Sequence, residues 1–202
     1  MVLDGSPLPD GSVARMLDAT AAGAREAGGD VEAFRCYDLA VRPCVACGPD
    51  ATPGYCIFHD GMDPLYAALE RAHAVVVGSP VYFDTVSGPL KLVMDRCNCV
   101  TPLVTLADGR QDCVPRWARS RRGAFVTARS SDHRHDLAER SVRGFLRWVG
   151  ARWEATIVWS HADNERGSVP GSTLDEARAL GRRLIEGEPL RDEPAAPGED
   201  RR

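Results

Sequence analysis

Hydrophobic positions along this chain recur at two different spacings, and each change of spacing marks the end of one element. Met1 to Asp4 is a short apolar run that stops at a glycine- and proline-rich turn. From Ser12 to about Gly28 the apolar residues Val13, Met16, Leu17, Ala21 and Ala24 fall on one helical face. "VEAFRC", Val31 to Cys36, suits a second strand. Pro64 to Arg71 predicts a helix, and "AHAVVVGSP" is then an uninterrupted β-branched run closed by Gly78 and Pro80. A run without polar alternation is what a central parallel strand needs, because both of its faces are covered. A helix over Pro89 to Arg96, the strand "GAFVTA", a helix over His135 to Val149, the strand "WEATIVW" and a helix over Leu174 to Ile185 complete the series.

Strands alternating with helices imply an α/β fold, a five-stranded parallel sheet with helices on both faces joined by right-handed crossovers. The pattern predicts one domain over 1–186, with a Cys-rich excursion at 42–61 and an aperiodic loop insertion at 97–122. The tail at 187–202 is too polar and proline-rich to order itself. In such sheets ligands bind outside the carboxyl ends of the strands. That directs attention to three loops, Gly5 to Val13, Ser79 to Ser87, and Thr127 to Asp132.

Composition narrows the partners. The 202 residues are 44% hydrophobic and 27% charged, with a formal net charge of −4, which suits a globular chain and not a nucleic-acid or anionic-membrane binder. No apolar run reaches the ~18 residues that span a bilayer, and the first residues lack the pattern of a signal peptide. A soluble cytoplasmic protein is expected. With no export signal, the seven cysteines point away from a disulfide framework and toward metal binding, redox chemistry or plain burial.

"GSPLPDGS" joins the first strand to the first helix. Gly5 and Gly11 permit close backbone approach, Ser12 is a good N-cap and Ser6 adds a hydroxyl. Free amides in the following turn, with the helix dipole behind them, would hold a phosphate. The loop matches neither the nucleoside-triphosphate signature nor G-x-G-x-x-G. A tight strand-to-helix connection with a serine cap is the competing reading.

"GSPLPDGS", "CVACGPDATPGYCIFHDGM" and "GSPVYFDTVSGPLKLVMDR" occur in this order. In these motifs, from Leu3 to about Gly150, the chain resembles the NAD(P)H-dependent FMN reductase and iron–sulfur flavoprotein family. The resemblance implies a flavodoxin-like three-layer sandwich with strand order 2-1-3-4-5, FMN as cofactor with its phosphate in the first loop, and NADPH or NADH as co-substrate. It assigns Ser6, Pro7, Gly11, Ser12 and Val13 to the phosphate. Pro80, Val81, Tyr82, Phe83 and Ser87 go to the ring, with Tyr82 and Phe83 supplying flat apolar surface. Thr127, Arg129 and Ser130 join from the third loop, where Arg129 suits a pyrimidine edge or a phosphate. Where the family usually carries an arginine and a threonine, this chain has Leu8 and Val13, so Ser6, Ser12 and backbone amides must carry more of the phosphate. Ser87 is expected to cap the helix bearing Lys91, and Asp95 and Arg96 to serve local structure or a subunit contact. His133 is a candidate proton donor to a substrate; the alternative is an idle surface histidine.

Cys44, Cys47 and Cys56 form C-x2-C-x8-C, followed by His59. The iron–sulfur branch of the family places four cysteines here, and Asp50 stands at the third position. A [4Fe–4S] cluster takes four thiolates, so it requires Asp50 or a distant cysteine. A Cys₃His zinc set with His59 and vestigial packed or reversibly paired thiols are the other readings, the last being favoured. Cys97, Cys99 and Cys113 are either redox-active thiols or inert buried ones.

The leading expectation is an FMN-dependent NAD(P)H oxidoreductase that passes hydride to a small-molecule acceptor such as a quinone, free flavin, nitro or azo compound, metal ion or pathway intermediate. An iron–sulfur flavoprotein electron carrier and a non-enzymatic redox sensor are the alternatives. The resemblance implies a homodimer or homotetramer, with "RWARSRR" a candidate for the boundary. No catalytic side chain is assigned.

Overall fold

The valine run folds as β3 (Ala74–Pro80), flanked by β1 (Val2–Asp4) and β6 (Arg121–Ala128), with β2 (Ala33–Arg35) and β7 (Ala151–Trp159) at the edges. All pairings in this sheet are parallel and the order is β2-β1-β3-β6-β7, the flavodoxin-like order expected. This computed structural model describes residues 1–48, 56–117, 120–130, 134–160 and 167–187. Among them no helix is long and apolar enough to cross a membrane.

Side chains of each central strand alternate between two cores. Leu3, Val75, Val77 and Phe125 face α2 (Asp63–Arg71), α3 (Gly88–Arg96) and α4 (Asp136–Trp148). Val2, Val76, Ala124 and Val126 face α1 (Ser12–Glu26) and α5 (Gly171–Glu186). The five apolar positions predicted for α1 are all buried. Helices α1 and α5 cross very closely, because a Cβ at Gly23 would overlap the Arg178 carbonyl and one at Gly181 the Thr20 carbonyl. Glu26 closes the crossing with ion pairs to Arg178 at 2.7 Å and Arg182 at 2.8 Å.

Two expectations need correction. The insertion at 97–122 is not one irregular loop: it holds a 3₁₀ turn (Cys97–Val100) and an antiparallel hairpin of β4 (Leu103–Thr105) and β5 (Gln111–Cys113). The hairpin is exposed or half-exposed throughout, so no face is apolar enough to write a period into the sequence. The fourth strand of the main sheet starts at Arg121, not Gly123, although "RR" reads as a polar loop. Arg121 is fully buried there. Its guanidinium donates to the carbonyls of Leu69 at 3.0 Å, Val149 at 3.1 Å and Glu70 at 3.2 Å. It therefore caps the carboxyl ends of α2 and α4 together, where a cation suits both helix dipoles. The predicted tail beyond Gly187, and Ala118 and Arg119 of "RWARSRR", lie outside the described residues.

Candidate functional site

The three loops named by topology do meet at the carboxyl edge of the sheet, and their own hydrogen bonds lock them together. Gly5 donates its amide to the Gly78 carbonyl at 2.8 Å, and the Ser87 hydroxyl donates to the Gly5 carbonyl at 2.7 Å. A Cβ at Gly5 would stand 2.9 Å from both the Gly78 oxygen and Leu90 Cβ, so only glycine fits between the first two loops. Ser79 Oγ accepts from the Ser87 amide at 2.9 Å, and the buried Thr127 hydroxyl donates to the Ser79 carbonyl at 2.8 Å.

In the first loop the serine hydroxyls serve the loop itself. Ser6 Oγ donates to the Leu8 carbonyl at 2.9 Å, and the Ser12 hydroxyl donates to the Ser168 carbonyl at 3.3 Å. Ser12 is the first residue of α1 and Gly11, at φ −73° and ψ 167°, is the N-cap, so the expected serine cap is corrected. Among the described residues the amides of Ser12, Val13 and Ala14 take no acceptor, while that of Gly11 reaches the Leu8 carbonyl at 3.2 Å. These are the orphan donors every helix start leaves. The Val13 side chain points into the core, which leaves only its amide on the loop side. Pro7 is half-buried in the same loop. Gly167 and Ser168 flank this loop, a neighbour that sequence reading did not find: Arg15 donates to the Gly167 carbonyl at 2.6 Å, and Gly167 adopts φ 71° against Asp10.

The second loop is a tight hairpin. Tyr82 and Thr85 exchange both backbone hydrogen bonds, at 2.9 and 3.0 Å, around Phe83 at φ 50° and Asp84 at φ 61°. Two successive positive φ angles define a type I′ turn, which favours asparagine and glycine. Here the first central position is a phenylalanine that is 100% exposed, beside Tyr82 at 44%. The amides of Val81, Tyr82, Thr85 and Ser87 are consumed internally. Of the turn's donors those of Phe83, Asp84 and Val86 face no internal acceptor among the described residues. Ser87 is the N-cap of α3 by position but its side chain makes no cap bond. In the third loop the Arg129 amide bonds the Trp159 carbonyl at 2.9 Å and its guanidinium the Ser130 carbonyl at 3.2 Å. Ser131, Asp132 and His133 lie outside the described residues.

Beneath the first loop sit two charged residues that the sequence did not single out. Asp4 is buried at the end of β1 and accepts the Ser6 amide at 2.7 Å. Burial raises its carboxyl pKa, against the lowering effect of that amide and of Arg35. Arg35, opposite Asp4 in the β1–β2 register, reaches Asp4 at 3.5 Å and the Ser6 carbonyl at 3.4 Å. A charged residue closing an edge strand beside an anion loop was the available signal.

Arg96 has the structural role expected, with its side chain wholly buried and bonded to Asp60 at 2.7 and 3.2 Å and to the Arg42 carbonyl at 2.8 Å. Phe58 packs under Arg96 and Arg42, 5.1 and 4.2 Å from ring centre to guanidinium. This clamp joins both ends of the Cys-rich excursion to α3. Burial would raise the Asp60 carboxyl, but hydrogen bonds from Arg96, Arg42 and Met62 hold it below its usual range. Asp95 instead pairs with Lys91 at 2.6 Å on the surface.

Among the described residues no three of His, Cys, Asp and Glu gather as a metal site. Cys44 and Cys47 are exposed, Cys56 packs against the core and His59 turns to Asp63 at 3.3 Å. Asp50 lies outside the described residues. The donor set present does not fit a four-thiolate cluster. Burial pushes the Cys97 and Cys99 thiols up, the opposite of what a reactive thiolate needs.

A family model described as NADPH-dependent FMN reductase matches residues 1–161. An iron–sulfur flavoprotein of Methanocaldococcus jannaschii is 32% identical over 94 residues, covering 46% of this chain and 49% of that protein. One from Archaeoglobus fulgidus is 34% identical over 92 residues, covering 46% and 42%. The chain thus spans about half the length of the curated relatives it matches. Among solved structures, a WrbA-like flavodoxin from Agrobacterium tumefaciens aligns with a TM-score of 0.56 at 16% identity, covering 91% of this chain and 92% of that one. That likeness speaks for the fold.

Proposed function

Because the chain belongs to the NADPH-dependent FMN reductase family, we propose that it is a flavin-dependent oxidoreductase that takes hydride from NADPH or NADH and delivers it to a small-molecule acceptor. The observation that carries this reading is the run of unbonded amides at Ser12, Val13 and Ala14, opening from a loop whose hydroxyls are already committed. A phosphate monoester satisfies orphan amides and the helix dipole together. The glycine cradle at Gly5 and Gly11 lets the backbone approach such a group closely, since a Cβ at Gly11 would meet Leu8 Cβ at 3.2 Å.

When bound, FMN supplies the hydride-carrying chemistry, and the protein supplies placement and electrostatics. Tyr82 and Phe83 would present apolar surface to the ring. The free amides of Phe83 and Asp84 are rigidly aimed by the hairpin and suit the ring's polar edge. Arg129 stands at the end of β6, on the opposite side of β3, where a guanidinium meets a carbonyl edge. None of these side chains is asked to move a proton in the first half-reaction. The excursion supplies three cysteines, one thiolate short of what a [4Fe–4S] cluster takes. Assembly as a homodimer or homotetramer belongs to the same reading and is checked by light scattering.

The test is anaerobic. Protein purified yellow, or made so with FMN, should bleach on mixing with NADPH or NADH and recover colour with a quinone. A protein that takes up no FMN refutes the reading; FMN that neither nicotinamide bleaches removes the reductase activity.

A further inference from the structure

Several guanidinium groups among the described residues hold an acceptor closely: Arg96 to Asp60 at 2.7 Å, Arg178 to Glu26 at 2.7 Å, Arg15 to the Gly167 carbonyl at 2.6 Å. Arg35 differs. Its three neighbours stand at 3.4 Å (Asp38), 3.4 Å (the Ser6 carbonyl) and 3.5 Å (Asp4), and its buried Nε, like that of Arg96, has no hydrogen-bond partner. A charge-assisted bond runs at ~2.7–2.9 Å, so none of these contacts uses the guanidinium fully. Its side chain is partly buried, at 29% exposure, and a partly buried, under-bonded cation gains from any anion that completes its bonding.

Position says what that something is. Strand β2 carries Arg35 to the carboxyl edge of the sheet, one strand over from the Gly5–Gly11 loop. The loop from Gly5 to Ala14 contains no lysine or arginine. The next cation along, Arg15, is turned away to Gly167. The immediate electrostatics are otherwise hostile to an anion, because Asp4 is buried under the loop and Asp38 flanks Arg35 on the surface.

The geometry points to Arg35 as the cation of the phosphate site: it reaches in from β2 to neutralise the carboxylates around the loop and to pair with the phosphate of the flavin nucleotide. This deepens the flavoprotein reading and rests on it. Asp38, 66% exposed, competes for the same guanidinium from outside. FMN affinity is therefore set by a three-way division of one positive charge among Asp4, Asp38 and phosphate.

The experiment titrates flavin-free full-length protein with FMN and with riboflavin, which has the same ring and no phosphate, and follows flavin fluorescence. Arg35→Ala should weaken FMN on the order of ten-fold, the scale of one partly screened charge-assisted pair, and leave riboflavin unchanged. Arg35→Lys should restore part of the loss, and added salt should weaken FMN binding by the wild type more than by Arg35→Ala. Asp38→Asn, at an exposed position with no packing to lose, should tighten FMN two- to three-fold without touching riboflavin, on the order expected for freeing a surface pair. Equal losses for both flavins in Arg35→Ala, or an unaltered FMN-to-riboflavin ratio in both variants, overturn the assignment while the flavoprotein reading stands. A wild type that binds neither flavin overturns both.

Discussion

Replacing Phe83 with asparagine separates two consequences of one side chain. Phe83 occupies the first central position of a type I′ turn at φ 50°, and its ring is 100% exposed. A bulky L-residue in the left-handed region costs ~1–2 kcal/mol, whereas asparagine tolerates it through local hydrogen bonding. No packing is lost on removing a fully exposed ring, and the hairpin bonds between Tyr82 and Thr85 stay in place. The expected gain is about 1 kcal/mol, or about 2–4 °C in Tm for a chain of this length. Strain of this kind persists where function keeps it.

If the ring covers the flavin, the same substitution weakens binding. An aromatic pair contributes ~0.5–1.5 kcal/mol beyond the area it buries, which is roughly a two- to ten-fold rise in Kd for FMN. Calorimetry and fluorescence titration on one preparation read both effects, and Phe83→Trp serves as the control that keeps the strain and the stacking. The reasoning fails on the stability side if Phe83→Asn lowers Tm. It fails on the functional side if FMN affinity and turnover both stay at wild-type values.

Three further outcomes follow from the packing and the charges. Gly181→Ala forces a methyl against the Thr20 carbonyl, so α1 and α5 must separate; overpacking of this kind should cost about 2–3 kcal/mol, seen as a lower urea midpoint at unchanged slope. Arg121→Met leaves the carbonyls of Leu69, Glu70 and Val149 short of a donor, at about 2–3 kcal/mol in total; the proposed flavin site lies at the other end of the sheet, so any FMN affinity should be unchanged. Asp60→Asn tests linkage: a carboxyl held below its usual range in the fold contributes stability above its unfolded pKa and loses it as pH falls through the lower folded value. The variant should accordingly be least stable relative to wild type near neutrality, with the two curves converging in acid.

The sheet was legible because burial on both faces writes itself into sequence as "AVVVG", and burial on one face writes itself as the α1 stripe. The meeting of the three loops at the carboxyl edge was legible by topology alone, once the strand ends were placed. What stayed hidden were groups whose use depends on a partner far along the chain. Arg121 looked like the end of a polar loop because nothing near it in sequence reveals two helix ends converging on its guanidinium. The hydroxyls of Ser6, Ser12, Ser87 and Thr127 were expected to face the cofactor. Their acceptors are protein carbonyls at Leu8, Ser168, Gly5 and Ser79, so they shape the loops. Arg35 was missed because a three-residue edge strand carries almost no period.

The Cys-rich excursion has a tie to the domain that needs no metal. A cluster in such a loop does two jobs, carrying electrons and tying the loop to the domain. Here the second job belongs to Arg96. Its guanidinium holds Asp60 near one end of the segment and the Arg42 carbonyl at the other, with Phe58 packed beneath. Breaking a buried pair of this sort by removing one partner costs ~3–5 kcal/mol, because the survivor is left charged and dry. Such a clamp fixes the excursion irrespective of metal. The thiols of Cys44 and Cys47 stand exposed while those of Cys36, Cys97 and Cys99 are held neutral by burial, Cys36 pushed up to about 12. Substituting Cys44, Cys47 and Cys56 together by serine should therefore leave Tm and FMN affinity close to wild type, whereas Arg96→Met should lower Tm steeply. A triple variant that unfolds as readily as Arg96→Met would mean that the cysteines, and not the clamp, hold the segment.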